Sequence, residues 1–117
     1  MNDDTEIRRG DVVVVRLDPA EGHEMKKTRP AVIVQNDIGN RNSSTTIVAP
    51  ATGTHQGYPF EVLVEADGSP FDKDSSVRLD QIRVVSVEKR IHSVLGSLSE
   101  PTMAEVDEAL KLSLGLD

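Results

Sequence analysis

The sequence predicts a small, mainly β domain, a partly open barrel of short strands followed by one C-terminal helix. Short apolar runs recur at close spacing between residues 11 and 95, each bounded by Gly, Pro, Asn or Asp. After Ser99 the apolar spacing changes from strand-like to helical. With 117 residues, 37% of them hydrophobic, the chain can bury one compact core and not a second.

Taken in order, residues 1–7 read as a tail and Asp11 to Leu17 as the first strand. Its four consecutive valines, Val12 to Val15, suit a strand buried in a small barrel. A long charged loop follows from Asp18 to Thr28, with Pro19, Gly22, Glu24, Lys26 and Lys27 in it. Pro30 to Gln35 is the second strand, and Asn36-Asp37-Ile38-Gly39-Asn40 is turn chemistry. Thr45 to Ala49 is a third strand, ended by Pro50. Phe60 to Glu65 alternates as a half-buried strand does, and Asp67-Gly68-Ser69-Pro70 closes it. Ser75 to Leu79, Gln81 to Val87 and His92 to Leu95 supply the remaining strands. The helix begins at an N-cap, Ser99, with Pro101 in the first turn, where proline is tolerated. Met103, Val106, Leu110 and Leu114 then recur at helical spacing, and Gly115 is the stop. No repeat or linker divides this single domain.

Composition removes several function classes. The net charge of −7 argues against a general nucleic-acid coat protein, yet leaves room for a local RNA-binding groove. There is no cysteine, hence no disulfide, thiolate metal site or cysteine nucleophile. The acidic N-terminus lacks the pattern of a secretory signal and no apolar run is long enough to span a bilayer, so a cytoplasmic protein is expected. Phosphate-loop, dinucleotide, nucleophile-elbow and zinc-protease motifs are missing, and His23, His55 and His92 have no ligand spacing. No cofactor and no metal is expected. Lys26, Lys27 and Arg29 gather in one segment and Arg78 and Arg83 in another; on composition alone these are ordinary solvated charges.

Three local features carry possible chemistry. Pro30 holds Arg29 extended at the mouth of a strand, where its planar guanidinium can fork onto a phosphate. From this pair alone a surface salt bridge, for example to Glu24, is the favoured reading. In Ala49-Pro50-Ala51-Thr52-Gly53-Thr54 the small residues allow close backbone approach, and Thr52 can offer its hydroxyl to an anion; a locally bonded turn is equally good. In Gly57-Tyr58-Pro59-Phe60-Glu61-Val62, Tyr58 can stack on a base, or simply pack.

Read together, these segments resemble the MazF/PemK toxins of type II toxin–antitoxin systems. The collinear pieces are Arg9-Gly10-Asp11-Val12-Val13, Asp18-Pro19 with Gly22 and Glu24, Arg29-Pro30-Ala31-Val32-Ile33-Val34, Gln35 to Asn40, Gly57 to Val62, Asp80-Gln81-Ile82 and Val106 to Leu110. They run from about residue 8 to the C-terminal helix. The resemblance implies an SH3-like barrel, a homodimer, and cleavage of single-stranded RNA within short preferred sequences. It places the catalytic arginine and threonine on Arg29 and Thr52 and the loop glutamate on Glu24. Contacts to RNA are expected from Lys26, Lys27, Thr28, Gly53, Tyr58, Arg78 and Gln81. Thr28 stands where some relatives carry histidine, and with 3% aromatic residues base stacking rests on Tyr58, Phe60 or Phe71.

The implied route is metal-independent: the RNA's own 2′-hydroxyl attacks phosphorus, leaving a 2′,3′-cyclic phosphate and a 5′-hydroxyl. Arg29 then stabilises the phosphate oxygens and Thr52 adds a hydrogen bond. An arginine, with pKa above about 12, is a poor proton carrier, so Glu24 is the better acceptor or else orients Arg29. A MazE-like cognate antitoxin is the implied protein partner. Two other classes remain: a topoisomerase poison of the CcdB type, which shares the fold but whose C-terminal tryptophan is missing here, and a catalytically inert binding module.

Overall fold

The computed structural model describes residues 6–17, 22–23 and 27–116. The order of elements is β1 (Asp11–Arg16), β2 (Thr28–Ile33), α1 (Asp37–Asn42), β3 (Thr45–Thr52), β4 (Glu61–Val64), β5 (Ser75–Arg78), β6 (Arg83–Ser86), α2 (Val87–Arg90), β7 (Ile91–Ser97) and α3 (Glu100–Leu114). The strands form one antiparallel sheet in the order β4-β5-β3-β2-β1-β7, and β6 pairs with the first part of β3. Register shifts between Val12 and Val13 and between Val14 and Val15 interrupt the β1–β7 ladder, the kind of irregularity that bends a sheet toward a barrel.

Side chains alternate across a strand, so the valine run of β1 feeds two cores. Val12 joins Val32, Ala49, Ala51 and Val77 beneath α3, whose Val106 and Ala109 are buried against them. Val13 and Val15 join Ala31, Ile33, Val48, Val85, Val87 and Ile91 on the opposite face. That double burial is why β1 carries no polar alternation. α3 starts and stops as its sequence predicts: the Ser99 hydroxyl accepts from the Thr102 N–H, and Gly115 takes the left-handed conformation at the C-cap. Its apolar stripe is shorter than expected. Met103 and Leu110 pack on the core, but Leu114 is exposed together with Leu112 and Leu116.

Four other expectations are corrected. Asn36 to Asn40 is not a turn but the start of α1, with the Asn36 side chain accepting from the Gly39 N–H. Asn40 explains it: this buried amide accepts from Thr46 Oγ1 (2.7 Å) and Gln35 Nε2 (3.0 Å) and donates to the Gln35 carbonyl and to Asp37. Pro50 does not end the third strand, because β3 continues to Thr52. It falls between Val48, the last residue paired to β6, and Ala51, the first paired to β5, where no ladder needs its missing N–H. The strand placed at Gln81 to Val87 starts at Arg83, and Val87 already belongs to α2. β2 also begins earlier than Pro30, at Thr28.

Replacing Asn40 by Ala strips partners from several buried polar groups at once. The expected loss is about 2 kcal/mol of unfolding free energy in urea titration. A change within about 0.5 kcal/mol, the range of an ordinary surface substitution, would show that α1 does not depend on this amide.

Candidate functional site

The site begins where the β2–β3 ladder stops. Its last paired residues are Ala31 and Pro50, and the next residue of β2 is Pro30, which has no N–H to carry the pairing further. Arg29 and Thr52 each stand two residues beyond that last pair, and both line a cleft of about 370 Å³. Lys27, Thr28 and Gly53 line it too, with Asp72, Lys73 and Ser75 from the segment entering β5. Lys27 has a left-handed backbone, φ 72°, unusual for a side-chain-bearing residue. Its carbonyl accepts from the Leu17 N–H at 3.1 Å, tying the far end of the loop back to β1.

Charge sets this cleft apart from the chain as a whole. Among its described lining residues are three cations, Lys27, Arg29 and Lys73, against one carboxylate, Asp72, on a protein of net charge −7. The expected Glu24 and Lys26 lie outside the described residues, and with them any pair between Glu24 and Arg29.

A second cluster adjoins the cleft across one strand. Thr52 is paired with Ser76 of β5, and the Ser76 hydroxyl donates to Glu61 Oε1 at 3.1 Å. Glu61 also accepts from the N–H groups of Tyr58 (2.9 Å) and Gln56 (3.3 Å), and Arg78 Nε lies 3.9 Å from it. Burial alone would raise the carboxyl's pKa, but the Tyr58 N–H, the Ser76 hydroxyl, the Gln56 N–H and the Arg78 charge outweigh it. The pKa is held below the ordinary glutamate value, so Glu61 is ionised although its side chain is 0% exposed. Arg78 forks onto Asp80 with bonds of 2.9 and 2.7 Å, which raises its own pKa and keeps it charged. Its guanidinium lies 5.6 Å from the Phe60 ring centroid, and Tyr58 stacks on the same ring at 5.0 Å.

The expected residues therefore divide. Lys27, Thr28, Arg29, Thr52 and Gly53 come together in the cleft. Tyr58 and Arg78 belong to the aromatic cluster beside it, and Gln81 follows them in the turn where its N–H donates to the Arg78 carbonyl. Sequence reasoning passed over Glu61, Ser76, Asp80 and His55, whose Nδ1 lies 2.9 Å from Ser76 Oγ. Glu61 reads as a solvent-side residue of an alternating strand; only its pairing opposite Arg78 shows otherwise. Among the described residues no group of three His, Asp or Glu is placed to hold a metal, and no helix is long and apolar enough to cross a membrane.

Known proteins match this arrangement over most of its length. A family model of PemK-like, MazF-like toxins of type II toxin–antitoxin systems matches residues 8–114. An endoribonuclease from a mycobacterial species is 25% identical, with 99% of this chain and 95% of that one covered at a TM-score of 0.79. MazF from Deinococcus radiodurans is 26% identical over 94% of this chain and 97% of its own, at a TM-score of 0.80. The MazE–MazF complex from the same organism matches at 25% identity over 96% of this chain and 98% of that one, with a TM-score of 0.75.

The depressed Glu61 pKa has a definite sign. Its stabilising effect is complete above the unfolded-chain value of about 4.3 and is lost as pH falls through the lower folded value. Glu61→Gln should therefore lower the Tm at pH 7, and the gap from wild type should close in more acidic buffer. A gap that stayed constant from neutral to acid pH would mean that the ionised carboxylate is not what holds the loop.

Proposed function

This chain belongs to the PemK-like, MazF-like toxins of type II toxin–antitoxin systems, and on that premise we propose that it is a metal-independent, sequence-specific endoribonuclease. The carrying observation is the cleft that brings Arg29 and Thr52 together in a cationic patch on an acidic protein. The endoribonuclease among its structural relatives supports the same reading.

RNA brings its own nucleophile, so the protein has to align the 2′-hydroxyl with phosphorus and stabilise the charge that develops. Arg29 binds the non-bridging oxygens through its fork of donors, and the Thr52 hydroxyl adds a hydrogen bond to them. Lys27 and Lys73 supply further positive charge around the anion, the electrostatic service a metal would otherwise perform. Glu24 takes the 2′-hydroxyl proton or orients Arg29. The bond from phosphorus to the 5′-oxygen breaks as the bond to the 2′-oxygen forms, and the leaving oxygen takes a proton from Glu24 or water, leaving a 2′,3′-cyclic phosphate and a 5′-hydroxyl. Lys26 and Thr28 contact the strand at the loop, Gly53 permits close backbone approach, and Tyr58, already stacked on Phe60, offers a preorganised face to a base. Arg78 is neutralised by Asp80 and Glu61, so it and Gln81 contribute hydrogen-bond geometry more than net charge. The working form is a cytoplasmic homodimer, held inactive by a cognate MazE-like antitoxin that competes with RNA.

Arg29→Ala should abolish cleavage of single-stranded RNA while the circular dichroism spectrum stays native. Arg29→Lys should be nearly as poor, since an ammonium cannot reproduce the bidentate fork. Wild-type cleavage should be indifferent to EDTA; activity that vanished on chelation and returned with a divalent ion would overturn the metal-independent route. Thr52→Ala should slow cleavage by about 10²–10³, the usual cost of one hydrogen bond to a transition-state oxyanion. An unchanged rate would remove Thr52 from the mechanism.

A further inference from the structure

His55 lies outside the residues assigned above, yet its ring is held by the same network. The ionised Glu61 carboxylate can only accept, so the single Ser76 hydroxyl proton points to Glu61 Oε1. Ser76 Oγ can then meet His55 Nδ1, 2.9 Å away, only as an acceptor. Nδ1 therefore carries the proton, and in the neutral ring Nε2 is left with its lone pair. Ser76 is also the cross-strand partner of Thr52, so the imidazole is anchored directly beside the cleavage cleft.

The space next to His55 is a groove of about 830 Å³ between the loop leading into β4 and helix α3. Pro59, Leu63 and Leu112 give it apolar walls, and Glu105 and Glu108 of α3 put carboxylates on its rim. Lys111 also lines it and pairs with Glu108 at 3.2 Å, which leaves Glu105 to set the sign of the rim. The sign is opposite to that of the cleft holding Arg29. A phosphate is disfavoured here, whereas a flat base with an amino group fits: its faces meet apolar walls and its donors meet acceptors.

We infer that His55 is a specificity-determining residue, which Ser76 and Glu61 hold as the Nδ1–H tautomer so that Nε2 accepts from the amino group of a nucleobase flanking the cut. Adenine, cytosine and guanine carry such an amino group; uracil, with carbonyls in its place, is the poorer guest. This rests on the endoribonuclease reading and adds a base subsite to it.

The test is cleavage of a randomised single-stranded RNA library by wild type, His55→Ala and Ser76→Ala, with the cut ends sequenced. Binding of a non-cleavable 2′-deoxy-substituted library is measured alongside. Wild type should select against uracil at one position next to the cut, and His55→Ala should weaken that selection about fivefold, as expected for one hydrogen bond. Nitrogen-15 NMR of the ring should show the Nδ1–H tautomer in wild type and a mixture in Ser76→Ala. Base preferences identical in wild type and His55→Ala would overturn the inference and leave a protein segment as the groove's occupant. His55-dependent selection in binding without any cleavage would sink the nuclease reading alone. A wild type that neither binds nor cuts would sink both.

Discussion

A ladder of hydrogen bonds that stops at Ala31 and Pro50 shapes the candidate site of this protein. Pro30, the next residue of β2, lacks the N–H that would carry the pairing on. Up to Ala31 and Pro50 the two strands are ordinary neighbours with buried, alternating side chains. Beyond that point β3 pairs with β5 instead, and a cleft lies between Arg29 and Thr52. Both residues are thus carried on rigid strands rather than on a loose loop. A constellation built that way keeps its geometry with little further support, which suits the proposed cleavage by alignment and electrostatics.

The second support is electrostatic. A carboxylate with no exposed side-chain surface is costly unless its oxygens are satisfied, and Glu61 is satisfied by two backbone N–H groups, a hydroxyl and a nearby guanidinium. These donors come from the loop before β4 and from β5, so the same bonds pin the loop to the sheet. The stack of Tyr58 on Phe60, with Arg78 over the same ring, is a consequence of that pinning. Among the described residues two surfaces of opposite sign result, a mainly cationic cleft that fits the proposed phosphate site and an acidic, apolar groove. An acidic protein can handle a polyanion because the charges are sorted locally, whatever the total.

Much of the fold is legible in the residues alone. Four valines in succession require a strand buried on both faces, and β1 does feed two cores. Ser99, Pro101 and Gly115 mark the limits of α3 because capping is a local matter of a hydroxyl, a fixed φ and a missing Cβ. The approximate positions of most strands follow from period and punctuation in the same way. Arg29 stands out through its proline neighbour, and the collinear family segments bring Thr52 and Glu24 forward with it.

What tertiary structure decided is everything that depends on register across distant segments. Asn36 to Asn40 has the composition of a turn and becomes helical because Asn40 finds Gln35 and Thr46 in a buried pocket. Glu61 looks like the wet side of a half-buried strand until its position opposite Arg78 encloses it. Leu114 keeps helical spacing, yet it is exposed near the end of α3. Residue chemistry picks out Arg29 and Thr52 separately and the family resemblance joins them in one expected role, but the cleft that holds both forms at the shared end of the β2–β3 ladder. Local propensity is written in neighbouring residues, whereas pairing between strands is settled by the whole sheet, and the candidate site depends on that pairing.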